Sequence, residues 1–294
     1  MPRVDIIIPA YNAAKYLPTA IESVVSQTFE DWRILLVDDG STDNTVEVVA
    51  PYIESLGARI KYVKQSNRGL PAARNMAIRH SSAEFLALLD ADDVWLPSRL
   101  YESMRCFEDR PQVGLAYGRI SRIDQAGRLL DTWGGNNAWA AGKIARYIYM
   151  LKVQLPCPTM TFRRKCVEEV GGFDETMRAT EDRDLWFRIA ERYDVACSSQ
   201  VLAHYRTSPG SMSSDPDRML QAQLKFVRKH YGRPGCGFWA RSSALGCVYR
   251  QHAEALSARK QRLPAFVSSI RAVTLSPWDL SNAKTAASIL LTSR

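Results

Sequence analysis

One unit recurs through the first ninety residues and most narrows the fold: a short β-rich apolar run, a polar loop, then a stretch with helical spacing. The runs begin near Val4 (VDIII), Arg33 (RILLV), Ile60 (IKYV) and Phe85 (FLALL). Between the first two, Leu17, Ile21, Val24 and Val25 recur at helical spacing, and between the second and third Val46, Val49 and Ile53 do the same. Alternating strand and helix predicts a parallel, doubly wound sheet. Each loop after a strand then lies on one edge of that sheet, where open α/β sheets bind their ligands. Those loops read PAYN, DDGSTD, QSNRG and DADD, which gathers Asp38, Asp39, Arg68, Asp90, Asp92 and Asp93 around one crevice.

The fourth loop is the most chemical of these. The apolar run Phe85 to Leu89 suits a fully buried parallel strand, and it delivers Asp90, Asp92 and Asp93 at its end. Unpaired, three carboxylates repel one another, whereas a hard divalent cation takes oxygen ligands and would in turn hold a diphosphate. A cap for the helix starting near Pro97 is the plainer use of Asp here, but a cap needs one carboxylate, not three. None of the loops is a G-x-G-x-x-G or a G-x-x-x-x-G-K-[ST], so the dinucleotide and P-loop modes lose their main support.

A chain of 294 residues with 46% hydrophobic and 24% charged residues can bury a substantial core. MPRVDIII reads as neither signal peptide nor spanning helix, and no later segment reaches spanning length. Cys106, Cys157, Cys166, Cys197, Cys236 and Cys247 show no metal spacing and read as free thiols of a reducing compartment, so a cytoplasmic location is expected. The net charge of +8 is uneven: residues 215–294 carry 13 Lys and Arg against 4 Asp and Glu, leaving residues 1–214 close to neutral.

After about Arg110 the alternation fades. VGLAYG and the hairpin-like IDQAGRLLD predict further strands, Trp133 to Tyr149 a loop plus helix with a mobile Gly134–Asn137, then TMTF, a Gly171-Gly172 turn, a helix from Asp184 to Arg192, and strands near Val195 and Val201. From Asp217 the pattern turns helical. Leu220, Leu224, Val227 and Tyr231 share one face, Leu245, Val248, His252 and Leu256 another, and Ser276-Pro277 marks a helix start. The expected division is an α/β domain over 1–214, its halves of about 1–110 and about 111–214 differing in pattern, and a basic helical region over 215–294.

Over roughly residues 3–214 the chain resembles the family 2 glycosyltransferases of GT-A fold. VDIIIPAYN, VDDGSTD, SNRGLPAARN and LLDADD resemble the family's first, second and third loop segments and its metal-binding D-x-D, and FRRKCVEEVGGFDE resembles the acceptor-side segment before the catalytic Glu-Asp, here Glu181-Asp182. The resemblance implies a GT-A, Rossmann-like, mostly parallel central sheet flanked by helices, with a helical appendage. It implies that Pro9, Ala10, Tyr11, Asp39, Asn67, Arg68, Arg74, Asp90, Ala91 and Asp92 bind the nucleotide-sugar. Within that set Tyr11 packs on the base, Asp39 reads its edge, Arg68 and Arg74 lie near the diphosphate, Asp90 faces sugar or ribose, and Asp92 is the direct ligand of a Mn or Mg ion. Asp182 is the implied general base; Asn12, Asp38, Asp93, Glu181, His204, Arg206 and Ser211 are supporting positions. In HYRTSPGSMS, Ser208 stands where the family's closing loop often has His, with His204 as a nearby substitute.

Read on their own, several of these residues have plainer uses. Glu181 and Asp182 suit the first turn of a helix, Arg68 and Arg74 could be surface charges, and Trp133, Trp139 and Trp186 a sugar platform or ordinary buried aromatics. His80, His230 and His252 read as unremarkable surface or helix residues.

The implied activity is inverting, metal-dependent transfer of one sugar from a nucleoside diphosphate, UDP by default with dTDP and GDP also in use, to a glycan, glycolipid or carrier-linked hydroxyl in surface polysaccharide synthesis. It is not processive, because spanning helices and a Gln-x-x-Arg-Trp segment are lacking. Two alternatives compete: a sugar nucleotidyltransferase, which would need a Gly-rich basic loop where PAYNAAKYL stands, and a silent nucleotide-sugar or glycan binding module. The basic tail suggests three roles. Nucleic-acid binding has no module to support it; a cover or homo-oligomer contact is the plain reading and the preferred one; peripheral docking on anionic lipid is a hypothesis motivated by Arg228, Lys229, Arg233, Arg241, Arg259, Lys260 and Arg262 beside Phe238, Trp239 and Phe266.

Overall fold

The computed structural model describes residues 2–133, 140–153, 155–177, 179–208 and 214–291. The side chain of Trp133, all of Gly134–Asn137 and Trp139, and Ser211 lie outside them. Two compact units result, Met1–Ile144 with Gln154–Ser208, and Ala145–Val153 with Pro209–Arg294.

The first unit is a mixed sheet of nine strands among the described residues. The repeated apolar runs form β1 (Val4–Ala10), β2 (Trp32–Asp38), β3 (Ile60–Lys64) and β4 (Phe85–Leu88), followed by β5 (Val94–Trp95), β6 (Val113–Ile123), β7 (Leu129–Trp133), β8 (Thr161–Arg163) and β9 (Asp194–Arg206). Their order is β3-β2-β1-β4-β8-β6-β9-β5, with β7 on β6. The first four pair in parallel, as the alternation predicts. β8 then inserts antiparallel to both β4 and β6, and β9 runs parallel to β6. The strands predicted near Val195 and Val201 are one strand, β9, whose register shifts against β6 between Tyr117 and Arg119, where Leu202 fills the space above Gly118.

Period-two alternation divides the core between the two faces of the sheet. Ile6, Ile8, Ile34 and Leu36 join one cluster with Leu17, Ala20, Ile21 and Val24 of α1 (Leu17–Val25) and Val49 of α2 (Thr45–Leu56). Val25 and Val46 share the helical spacing but are exposed, because the covered stripe is narrower than the apolar pattern. α3 (Leu70–His80) packs on β1 and β2; it starts after Gly69, whose φ of +90° suits glycine, and Pro71 sits in its first turn. α4 (Arg99–Arg105) follows Ser98, which makes no side-chain cap, so the DADD carboxylates do not cap it.

The second unit is helical: α5 (Ala145–Tyr149), α8 (Pro216–His230), α9 (Phe238–Ala258), α10 (Arg262–Leu275) and α11 (Leu280–Leu291), with α6 (Arg164–Val170) and α7 (Glu181–Ala190) belonging to the sheet unit. Asp215 caps α8 by accepting from the amides of Asp217 and Arg218, with Pro216 at the first helical position. Gly246 lets three helices meet: a Cβ there would stand 2.5 Å from that of Ser276 and 2.9 Å from the Asn282 amide. Ser276 ends α10, and α11 starts at Leu280 rather than at Pro277. Two of the histidines are buried on their helices. His230 packs on Phe226 at 5.0 Å, and His252 bridges Ser268 Oγ (2.9 Å) and Asp217 (3.1 Å). On the same grounds Tyr231 is exposed and the buried face of α8 runs through Leu220, Gln223, Val227 and His230. Among the described residues no helix is long and apolar enough to cross a membrane, and all six cysteines are free thiols.

Candidate active site

The carboxyl ends of β1, β2 and β4 bring their loops together, and buried polar contacts fix each one. Asp38, fully buried at the end of β2, accepts from Tyr62 OH (2.6 Å) and the Ser41 amide (2.7 Å). Burial alone would raise its carboxyl, but these bonds and nearby Lys64 outweigh burial and hold it below the usual carboxylate range. Asp39 accepts from Gln65 Nε2 (2.6 Å) and the Arg68 amide (2.9 Å) on one oxygen and the Gly69 amide (2.7 Å) on the other. It thus joins the second loop to the start of α3. Gly40 is required beside it: its φ is +78°, and a Cβ would lie 2.8 Å from the amide nitrogen of Asn67.

Pro9 and Ala10 are buried in the last turn of β1, and Tyr11 just beyond is 52% exposed over the crevice edge. Asn12 takes a left-handed φ of +50° and accepts from the Thr42 amide at 2.8 Å while donating its own amide to Ser41 Oγ at 3.0 Å. Ser41, Thr42 and Tyr62 were not among the expected site residues, although the first two lie in the quoted DDGSTD loop. Asn67 and Arg68 are exposed, and Arg68 reaches Glu175 Oε2 at 3.0 Å.

Arg74 is the hub of the arrangement and is not a surface charge. It is 1% exposed; Nη2 donates to Asp90 Oδ1 (2.7 Å) and Cys157 Sγ (3.2 Å), and Nη1 to Glu181 Oε1 (3.1 Å). Burial opposes its charge, but Asp90, Cys157 and Glu181 prevail, so it stays a cation more firmly than a free guanidinium. It therefore joins the D-x-D loop to α7. Cys157, a position no sequence signal marks, has its thiol pushed well up by burial, with Asp90, Asp182 and Glu181 adding to the shift and Arg74 opposing it.

α7 offers Glu181, Asp182 and Asp184 in its first turn, where the helix dipole favours anions. Asp184 is buried and paired with Arg188. Burial, with Asp182 adding to it, pushes Glu181 up to about 7 in spite of Arg74. Asp182 is half-buried beside it, its Oδ1 accepting from the Arg183 amide at 2.6 Å.

Along the D-x-D loop Asp90 is part-exposed and Ala91 is 8% exposed. Asp92 is pushed up to about 6 by burial and by Asp90. Asp93 is 1% exposed: Oδ1 accepts from the Arg206 amide at 2.8 Å, while Oδ2 has no hydrogen-bond partner among the described residues. Arg206 holds the loop from the other side, donating Nε to the Asp92 carbonyl (2.8 Å) and stacking 4.6 Å from Tyr16. His204 is tied to Ser121 Oγ at 2.6 Å on the β6/β9 strands, and burial, with Arg206 adding to it, pushes its imidazole below the usual value. Trp186 packs on Phe162 and Phe173 in the core and offers no stacking platform.

The donor set fits a hard cation. Among the described residues no three His, Cys, Asp or Glu side chains converge as a protein cage. Half-buried Asp92, pushed up by burial and by Asp90, and the unpartnered Oδ2 of Asp93 are the oxygens this loop offers to a hard cation.

The family model described as Glycosyl transferase family 2 matches residues 5–171. The chain belongs to glycosyl transferase family 2. It is 29% identical over 239 residues to an uncharacterised glycosyltransferase of Nostoc sp., covering 78% of this chain and 74% of that protein. It is 25% identical over 240 residues to chondroitin synthase of Escherichia coli, covering 80% of this chain but 33% of the synthase. Among solved structures, S. aureus TarS 1-349 with UDP-GlcNAc matches at a TM-score of 0.63 and 16% identity, over 99% of this chain and 92% of that one. Mannosyltransferase PcManGT of Pyrobaculum calidifontis, in complex with GDP-Man and Mn2+, matches at 0.65 and 21%, over 99% and 85%. The glycosyltransferase activity and the GT-A fold, with its mostly parallel sheet, follow from the family and these matches.

Proposed function

We propose that this family 2 glycosyltransferase moves one sugar, with inversion, from a nucleoside diphosphate held by the loops after β1, β2 and β4 to an acceptor hydroxyl deprotonated by Asp182. The observation that carries this reading is the convergence of Asp90, Glu181 and Cys157 on buried Arg74, with Asp182 at the mouth of α7. It supports a donor carboxylate cluster and a base assembled around one centre.

Asp39 keeps lone pairs beyond its bonds from Gln65, Arg68 and Gly69, so a base edge can still donate to it. Exposed Tyr11 supplies a face for that base. Bound at Asp92, a Mn or Mg ion supplies Lewis-acid stabilisation of the leaving diphosphate. Arg68 can turn from Glu175 to the diphosphate as a charge-assisted donor. One base at the acceptor side supports a single displacement. The uridine donor of TarS and the guanosine donor of PcManGT support a nucleotide-sugar without choosing its base, and the acceptor class is a glycan, glycolipid or carrier-linked hydroxyl.

Calorimetry with UDP, dTDP and GDP, each with manganese and with chelator, tests the reading. Metal-dependent binding of one nucleotide, lost in Asp92→Ala, is expected. No binding of any nucleotide under either condition would remove the donor site and leave a silent module.

A further inference from the structure

One end of the helical unit carries a surface unlike the other. α9, α10 and α11 alternate in direction: Ser242 Oγ near the start of α9 donates to the Leu275 carbonyl at the end of α10, and Trp239 lies 5.1 Å from Trp278, just before α11. The last turn of α8 joins the same end through the short connection from His230 to Phe238.

There Phe238, Trp239, Trp278 and Leu280 are 63%, 65%, 49% and 72% exposed. The three rings touch edge to face, at 5.5 Å and 5.1 Å, and so support one another while remaining open to solvent. Exposed Arg228, Lys229, Arg233 and Arg241 lie on the stretches of chain that reach this end, Arg241 stacking 5.0 Å from Tyr231, while exposed Arg271, in the last turns of α10, stacks 5.7 Å from Tyr249. Asp279 is the acidic residue at this end, and Lys152 offsets it at 3.5 Å. The other acids of the unit's described residues lie elsewhere. Asp215 and Asp217 are at the start of α8, where Asp217 meets His252, and Glu254 is in the second half of α9. Phe266 is part-buried against Ala253, Leu256, Ala265 and Ile289, so it does not belong to the patch.

We propose that this end of the helical unit docks on an anionic lipid bilayer, with its rings at headgroup depth and its cations against the anionic headgroups. Trp, Tyr and Phe favour that boundary, and juxtaposed Arg and Lys add attraction that salt screens. Charge complementarity selects the occupant. A sugar could stack on the rings but carries no charge to complement the positive end, and a second copy meeting the same patch about a two-fold axis would set cations against cations. No described helix is long and apolar enough to cross a bilayer, and the contact proposed is a peripheral one.

The test is flotation of the full chain with phosphatidylcholine vesicles, with and without about one-third phosphatidylglycerol, at ionic strengths of about 0.1 M and about 1 M. We expect flotation on the anionic vesicles at low salt only. Partitioning should fall at least about tenfold in Trp239→Ser/Trp278→Ser and in Arg228→Glu/Arg241→Glu. Nucleotide calorimetry on the same samples keeps the outcome separate from that of the donor site, and the second variant decides if the first unfolds. A wild-type chain that does not float at low salt, or both variants floating equally well, overturns the proposal. So does self-association abolished by the Trp substitutions without vesicle binding, which would make the patch a contact between copies.

Discussion

The two units handle arginine in opposite ways. In the sheet unit, Arg74 is buried between two carboxylates and Arg206 is buried on the backbone carbonyls of two loops, at Asp92 and Asp124, so each charge fixes loops relative to one another. In the helical unit, Arg228, Arg241 and Arg271 are exposed, and the fold underneath them is made of small residues such as Ala240, Ala244 and Ala272. Buried arginines assemble the first surface; the second is assembled by packing, and its arginines are left for whatever approaches it.

The sharpest way to break that contrast is at the base. Asp182→Asn should lower transfer by about 10²- to 10⁴-fold with nucleotide affinity nearly unchanged, read by donor turnover and calorimetry; equal loss of both would move the base elsewhere. Next, Arg74→Met leaves Asp90 and Glu181 without their cation and should cost about 3–5 kcal/mol in urea unfolding, with Arg74→Lys recovering part of it. A neutral result would mean that the hub holds nothing together.

Glu181 gives a pH signature. Its folded value of about 7 lies above the ordinary 4.5, so between these values the folded chain holds a proton the unfolded chain has released. Stability therefore falls as pH rises through that window, and Glu181→Gln should flatten the slope by about 1–3 kcal/mol in unfolding compared at the two ends. The smallest effect belongs to the other unit: Arg228→Gln or Arg241→Gln should move the unfolding free energy by less than about 0.5 kcal/mol. A loss near that of Arg74→Met would erase the distinction between the units.

The first four strands and the loops between them are legible because each strand is a continuous apolar run ended by turn residues, as with VDIII before PAYN. The second half of the sheet is less so. β9 reads as two strands because Ser198, Ser199 and Gln200 interrupt its apolar pattern, while the backbone carries through with a register shift. In the site, the acidic positions are readable from type and spacing, but their partners are not. Arg74 looks like any helix-surface charge until α7 supplies Glu181 from 107 residues away, and Cys157 enters only because the chain folds back between β7 and β8. His252 is readable as a member of an apolar helix face, but its partners are not, since Asp217 and Ser268 lie on different helices.

The helical unit is not continuous in the chain, and this shapes how the protein is made. Tyr149 of α5 is buried by Phe226, 6.2 Å away, and donates to the Val227 carbonyl at 3.1 Å, so its cover comes from chain that follows the rest of the sheet unit. At ribosomal rates of about 5–20 residues per second, Ile148 and Tyr149 wait roughly 4 to 16 s for that cover. A nascent chain stalled in this interval presents an uncovered aromatic face, a natural target for chaperone capture.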